Sequence, residues 1–219
     1  MTGLPDLDIV SLEPGSRRIP YREAWDLQRK IHQQVVAGDR PDTLLLVEHD
    51  EVFTAGSRTQ AQDRPTDGSE VIDVDRGGRI TWHGPGQLVG YPILRLANRL
   101  DVVGYVRTLE SVLIDLCAGF GVAGVRVPDR SGVWVIDAVS TAKVAAIGVR
   151  VSRGVTMHGF AVNCDCDTTW QNRIVPCGIP DAGVTSLSAS TGRQISVFQA
   201  VEALMPLLPV GHRAPTVAT

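Results

Sequence analysis

Apolar residues recur at helical spacing in three parts of the chain. After Asp101, the positions Val102, Val106, Leu109, Leu113, Leu116 and Phe120 follow at intervals of four and three, which predicts a helix N-capped by Asp101. Pro20 precedes Tyr21, Ala24, Trp25, Ile31 and Val35, near helical spacing, and Gly38 supplies the stop. Ser196 and Gln199 stand at capping-box spacing ahead of Val197, Val201 and Leu204, with Pro206 ending the last predicted helix. Between these lie strand-like runs at Leu7 to Leu12, Thr43 to Val47, Val71 to Val74, Leu88 to Leu96 and Ser131 to Asp137. Lys143 to Ser152 and Val155 to Asn163 flank Arg153-Gly154 and predict a β-hairpin. Phe53 to Ser69, rich in Thr, Gln, Asp, Gly and Pro, reads as a loop carrying Arg58 and Arg64. The irregular alternation, with a hairpin, predicts an α/β fold in which a mixed central sheet is flanked by helices, rather than a strict βαβ repeat. One domain over residues 1–210 is expected, with a loose tail over 211–219.

Composition narrows the class. With 43 % hydrophobic and 21 % charged residues, the 219-residue chain is an ordinary globular protein. Its net charge of −3, with both signs interspersed, excludes a global basic field for nucleic acid or an anionic membrane, although a local arginine patch remains open to acidic proteins. The N-terminus lacks the basic start and apolar core of a signal peptide, and no apolar run approaches the ~20 residues that span a bilayer, so a cytoplasmic location and reduced cysteines are expected. A monomer is the default expectation. Cys117 falls among Leu113 and Leu116 and reads as core. Cys164-Asp165-Cys166 is too tightly spaced for the usual zinc pair, so no metal is expected.

Three places carry candidate chemistry. In Arg76 to Gln87, four glycines, two arginines, a threonine, a histidine and a glutamine alternate between strand-like flanks. Glycine is costly to order, so this density implies backbone held close to something else, a tight turn or a ligand. Lys143 is one of only two lysines, with Lys30, and it heads a strand otherwise small and apolar. An amine there can exchange a proton, whereas an arginine stays charged. Cys177 sits between Pro176 and Gly178, on a rigid turn rather than in a periodic core face. Glu48, His49 and His158 read as structural polar residues.

Taken together, Arg76-Gly-Gly-Arg-Ile-Thr-Trp-His-Gly-Pro-Gly-Gln87 through Tyr91-Pro-Ile93, Lys143-Val-Ala-Ala-Ile-Gly148, His158-Gly-Phe-Ala-Val-Asn163 and Pro176-Cys-Gly178 resemble, in order, the octanoyltransferase family, the lipoyl(octanoyl) transferases. The resemblance implies the fold of the biotin and lipoate protein ligases. It implies transfer of an octanoyl group from acyl carrier protein to a lysine of a lipoyl domain without ATP or any other cofactor. The acceptors implied are 2-oxoacid dehydrogenase E2 subunits and the glycine cleavage H protein. The family's catalytic pair falls on Cys177 and Lys143. Its substrate contacts fall on Arg76, Gly77, Gly78, Arg79, Ile80, Thr81, Trp82 and His83, on Ala146, Ile147 and Gly148, and on Gly159, Phe160 and Ala161. Departures are Ala142 where a basic residue is common, Asp167-Thr-Thr-Trp-Gln171 ahead of Pro-Cys-Gly, and His49-Asp50-Glu51. Two other readings stay open: an ATP-dependent lipoate or biotin ligase, and a non-catalytic binder of acyl carrier or lipoyl domains.

Overall fold

The strand-like runs assemble into one mixed sheet, seen in a computed structural model that describes residues 4, 6–98, 101–137, 140–174, 183–208 and 216–217. In chain order the elements are β1 (Asp8–Ser11), α1 (Tyr21–Ala37), β2 (Thr43–Val47), β3 (Val52–Ala55), β4 (Val71–Asp73), β5 (Thr81–His83), β6 (Gln87–Ile93) and α2 (Val102–Gly119). There follow β7 (Gly124–Val127), β8 (Arg130–Ile136), β9 (Thr141–Ser152), β10 (Val155–Asn163), β11 (Gly183–Val184), α3 (Leu187–Thr191), α4 (Val197–Leu204) and β12 (Thr216–Val217). The main sheet runs β12-β1-β2-β6-β10-β9-β8-β7, with β11 beside the start of β9. Pairing is parallel at β12–β1, β1–β2 and β11–β9 and antiparallel elsewhere, the mixed sheet that the sequence predicts.

Local signals place the ends of the elements. The Asp101 carboxylate accepts from Gly104 N at 2.8 Å and caps α2, and the Ser196/Gln199 box caps α4. Gly38, at φ 86°, closes α1 in the left-handed conformation that glycine adopts without strain. Arg153 and Gly154 both have positive φ, at 53° and 78°, as a two-residue hairpin turn of right-handed twist requires.

Each face of the sheet is covered differently. Leu44, Leu46, Leu88, Phe160, Val162 and Ala145 pack against Leu109, Leu113 and Leu116 of α2 and Val197, Ala200 and Leu204 of α4, forming the main core. On the other side, Leu45, Val47, Val89, Tyr91 and Ala161 meet Ala24 of α1 and Ile19.

One expectation is corrected. Residues 53–55, placed in a loop with the polar residues that follow them, belong to β3, which pairs with β4 and β5 in a second, three-stranded sheet. The physical reason is a small separate core, in which Phe53 packs with Ile80, Trp82, Cys166, Trp170 and Ile174. Val52, Phe53 and Thr54 are strand-favouring residues, and this core gives them a sheet to join in spite of the polar sequence that follows. The short elements β7 and α3 also lack a sequence signal. Thr216 and Val217 join the sheet edge beside Val10 and Ser11.

Candidate active site

Three strands make the floor of a cavity of about 680 Å³. Strand register sets Val89 beside Ala161 and Ala161 beside Ala146 in one row, and Gly159 beside Gly148 further along. These side chains are small, and volume that larger ones would fill is left open. At the near end of the same face, Gln87 pairs with Asn163.

A β-bulge decides where Lys143 points. Val133 pairs with Ala145, but Trp134 pairs with Lys143, so Val144 is an extra residue in β9. Val144 and Ala145 are both buried in the main core. Strand alternation then turns Lys143 to the opposite face, beside Trp134, where it lines the cavity. Were β9 regular here, with Val144 paired, Lys143 would share the face of Ala145 two residues on and point to α2. Its ammonium nitrogen lies 4.6 Å from the Trp134 ring centroid, and only 8 % of the residue is exposed.

The glycine-rich stretch forms the wall opposite. Arg76, 6 % exposed, is a brace: its guanidinium donates to the carbonyls of Gly77 (3.0 Å), Arg79 (2.9 Å) and Thr54 (2.9 Å) and to Thr54 Oγ1 (3.1 Å). Arg79 grips the buried Asp63 carboxylate through Nε at 2.7 Å and Nη2 at 2.5 Å. Burial alone would raise the Asp63 carboxyl, but Arg79 and the Gln60 N–H outweigh it and hold the group below its ordinary value. Gly77 N donates to Val149 O, tying the stretch to β9. Gly56 has no room for a side chain, since a Cβ would stand 2.6 Å from Gly78 O. Glu48 pins the neighbouring turn, accepting from Gly86 N at 2.8 Å and from Gly15 N at 2.7 Å.

Two buried histidines, His83 and His158, line the same space, and a third, His49, stands behind Tyr91. His49 donates from Nδ1 to Ile19 O, because a carbonyl only accepts, so its Nε2 accepts from the Tyr91 hydroxyl at 2.7 Å. His158 Nε2 donates to Asp75 at 2.8 Å, and its Nδ1 meets no partner among the described residues. His83 Nδ1 bonds Gln87 Oε1 at 2.8 Å, and its ring stacks on Tyr21 with centroids 5.9 Å apart. Burial lowers all three, His49 to about 4 and His83 and His158 to about 3, so each is neutral at physiological pH.

Of the residues expected to touch substrate, Arg76, Gly78, Arg79, Thr81, His83, Ala146, Ile147, Gly148, Gly159, Phe160 and Ala161 line this cavity together with Lys143. Gly77 lies behind them on Val149, while Ile80 and Trp82 face the small core. Tyr21, Tyr91 and His158 also line the cavity and were not singled out by sequence as contacts. His158 carried the best available signal, a polar residue in a fully buried strand. Cys177 lies outside the described residues. The described chain departs at Ile174, in the small core, and returns as β11, with Val184 in register with Lys143.

Comparison with known proteins follows the same line. Residues 20–207 match the model of the lipoyl protein ligase A/B catalytic domain. An octanoyltransferase of Salinispora tropica is 58 % identical over 210 residues, covering 95 % of this chain and 97 % of its own length. The chain belongs to the octanoyltransferase family. A second relative, an octanoyltransferase of Mycobacterium tuberculosis H37Rv, is 56 % identical over 206 residues, 90 % of this chain and 89 % of its own. Among solved structures, a bipartite lipoate protein ligase of Thermoplasma acidophilum superposes with a TM-score of 0.71 at 13 % identity, covering 98 % of this chain and 88 % of that one. At that identity the likeness establishes the shared ligase fold. As a family member the protein is an acyltransferase, which sets aside the non-catalytic reading. Its other cysteines are core: Cys117 and Cys164 are fully buried with the main core, and burial pushes the Cys117 thiol up to about 12. No helix among the described residues is long and apolar enough to cross a membrane.

Proposed function

We propose that this octanoyltransferase carries its acyl group on Cys177, taking octanoyl from acyl carrier protein and delivering it to the ε-amino group of a lysine on a lipoyl domain. The observation that carries this reading is the bulge at Val144, which delivers an amine, Lys143, into a cavity floored by Ala146, Ala161, Gly148 and Gly159. Those small apolar positions suit an acyl chain, whose burial contributes about 0.8 kcal/mol per CH₂.

The chemistry runs in two exchanges. In the first, the Cys177 sulfur attacks the thioester carbonyl. A C–S bond to the enzyme forms, the C–S bond to the carrier arm breaks, and the proton lost by Cys177 passes through Lys143 to the departing thiolate. In the second, the acceptor amine attacks the acyl-cysteine, a C–N bond forms, the C–S bond breaks, and a proton passes through Lys143 to Cys177. Nothing is oxidised, and thioester activation makes ATP unnecessary. The acceptors are lipoyl domains of 2-oxoacid dehydrogenase E2 subunits and the glycine cleavage H protein, and the enzyme works as a cytoplasmic monomer.

Incubation with octanoyl-acyl carrier protein, followed by mass spectrometry, is expected to show an octanoyl group on Cys177 that is lost on adding a lipoyl domain. A clean absence of adduct, with active partners, overturns the reading. Full activity of Cys177→Ser with octanoate and ATP would instead establish the ligase alternative.

A further inference from the structure

A chain of side-chain hydrogen bonds fixes the orientation of His83 from a single backbone group. Asn163 Nδ2 donates to Thr185 O at 2.8 Å, and that carbonyl accepts only. Asn163 Oδ1 must therefore be the acceptor for Gln87 Nε2, at 2.9 Å. A second, longer contact from Gln87 Nε2 to Trp82 O, at 3.4 Å, points the same way. This leaves Gln87 Oε1 to accept from His83, so the ring proton sits on Nδ1 and Nε2 bears an unprotonated lone pair. His83 is 7 % exposed and lines the cavity, and among the described residues no hydrogen bond is made by its Nε2. The pattern is a buried acceptor, locked in one tautomer, facing a space where substrate must sit.

The row it belongs to says which substrate group it meets. Gln87 and Asn163 are register partners, and the bulge places Lys143 on the same face at the same end of the cavity, two strand spacings or roughly 10 Å from Gln87. Thr185, whose carbonyl orients the chain, donates its own N–H to Lys143 O at 3.0 Å. His83 and Lys143 thus flank one end of the cavity from opposite edges, and the small apolar floor lies beyond them.

We propose that His83 Nε2 accepts a hydrogen bond from the incoming lysine amine in the second exchange, with Gln87 and Asn163 as positioning residues that hold the required tautomer. An amine attacks through its one lone pair, and anchoring one of its N–H bonds turns that pair toward the acyl carbonyl. The imidazole stays neutral because burial, with His49 and Arg76 nearby, keeps it at about 3, so it remains an acceptor and does not become a competing cation. The nearby Arg76 guanidinium, by the same charge, disfavours entry of the amine as ammonium.

This inference rests on the acyl-Cys177 reading, and the test separates the two. Acylation by octanoyl-acyl carrier protein and chase by a lipoyl domain are timed separately by quenched mass spectrometry in the full chain. In His83→Phe, the ratio of transfer rate to acylation rate is expected to fall on the order of 100-fold. In His83→Gln, whose amide oxygen reaches the position of Nε2, at least roughly tenfold of that loss is expected back. Gln87→Leu, which frees the tautomer, falls between wild type and His83→Phe. Hydroxylamine, a small and already neutral nucleophile, is expected to clear all the acyl-enzymes at one rate. Equal slowing of both exchanges, slowing of acylation alone, or a His83→Gln protein no better than His83→Phe overturns the proposal. Failure of the wild-type enzyme to acquire an adduct overturns the thioester reading instead.

Discussion

Strands β6, β10 and β9 have two faces made from the same segments of sequence. Toward α2 and α4 they carry Leu88, Val162, Val144 and Ala145, and the space is filled. Toward the glycine-rich stretch they carry Val89, Ala161, Gly159, Ala146 and Gly148, and a cavity remains. The hydrogen-bonded ladder is common to both, so the difference comes from side-chain volume alone. One face supplies stability, since packed interiors lose several kcal/mol when emptied. The other gives up that contribution, and the polar staples of Arg76, Arg79 and Glu48 hold its roof instead.

Substitutions on the two faces should therefore fail in opposite ways. Lys143→Met keeps the shape of the cavity face but removes its amine, and turnover measured with octanoyl-acyl carrier protein is expected to drop about 10²- to 10⁴-fold with the melting temperature nearly unchanged. Leu113→Ala, on the filled side, is expected to cost about 3 kcal/mol in denaturant unfolding, while the folded fraction keeps its turnover. Ala146→Leu brings filled-face character to the cavity. Its kcat/KM for octanoyl donors should fall on the order of 100-fold while a butyryl donor is largely spared. Were octanoyl and butyryl to suffer equally, the floor would not be the acyl site.

The roof gives the smallest effect and a pH signature. Asp63→Asn weakens the grip on Arg79 and is expected to cost about 2 kcal/mol. The Asp63 carboxyl lies below its ordinary value in the folded state, so its stabilisation is complete above about pH 4 and fades as pH falls further. Urea melts between pH 5 and 2.5 should show a steeper loss for wild type than for Asp63→Asn. Parallel slopes would remove Asp63 from the account.

Long, local signals were legible in the sequence. The Asp101 cap, the Ser196/Gln199 box and the Arg153-Gly154 turn each act within four residues, and each appears where the pattern puts it. The ordered motifs likewise pointed to the family and to most of the cavity wall. What stayed hidden depends on partners distant in sequence. Residues 53–55 join a strand where Trp82 and Trp170, stacked 5.1 Å apart, give Phe53 a core to pack on. Tyr21 enters the cavity because α1 lies across β10, a fact absent from its own helical pattern. Lys143 was legible as an unusual residue, but its side of the sheet was not, because the extra residue exists only relative to β8.

That single unpaired position has a consequence for how the gene can drift. Removing Val144 would shorten the chain by one residue in 219 and leave Lys143 directly before Ala145, still opposite Trp134 in a regular ladder, so the amine would keep its side of the sheet. A residue inserted in β8 between Val133 and Trp134 would do the reverse: it would give Val144 a partner, restore plain alternation, and turn Lys143 and Trp134 toward α2. Length changes at this place should therefore be tolerated as losses in β9 and not as gains in β8.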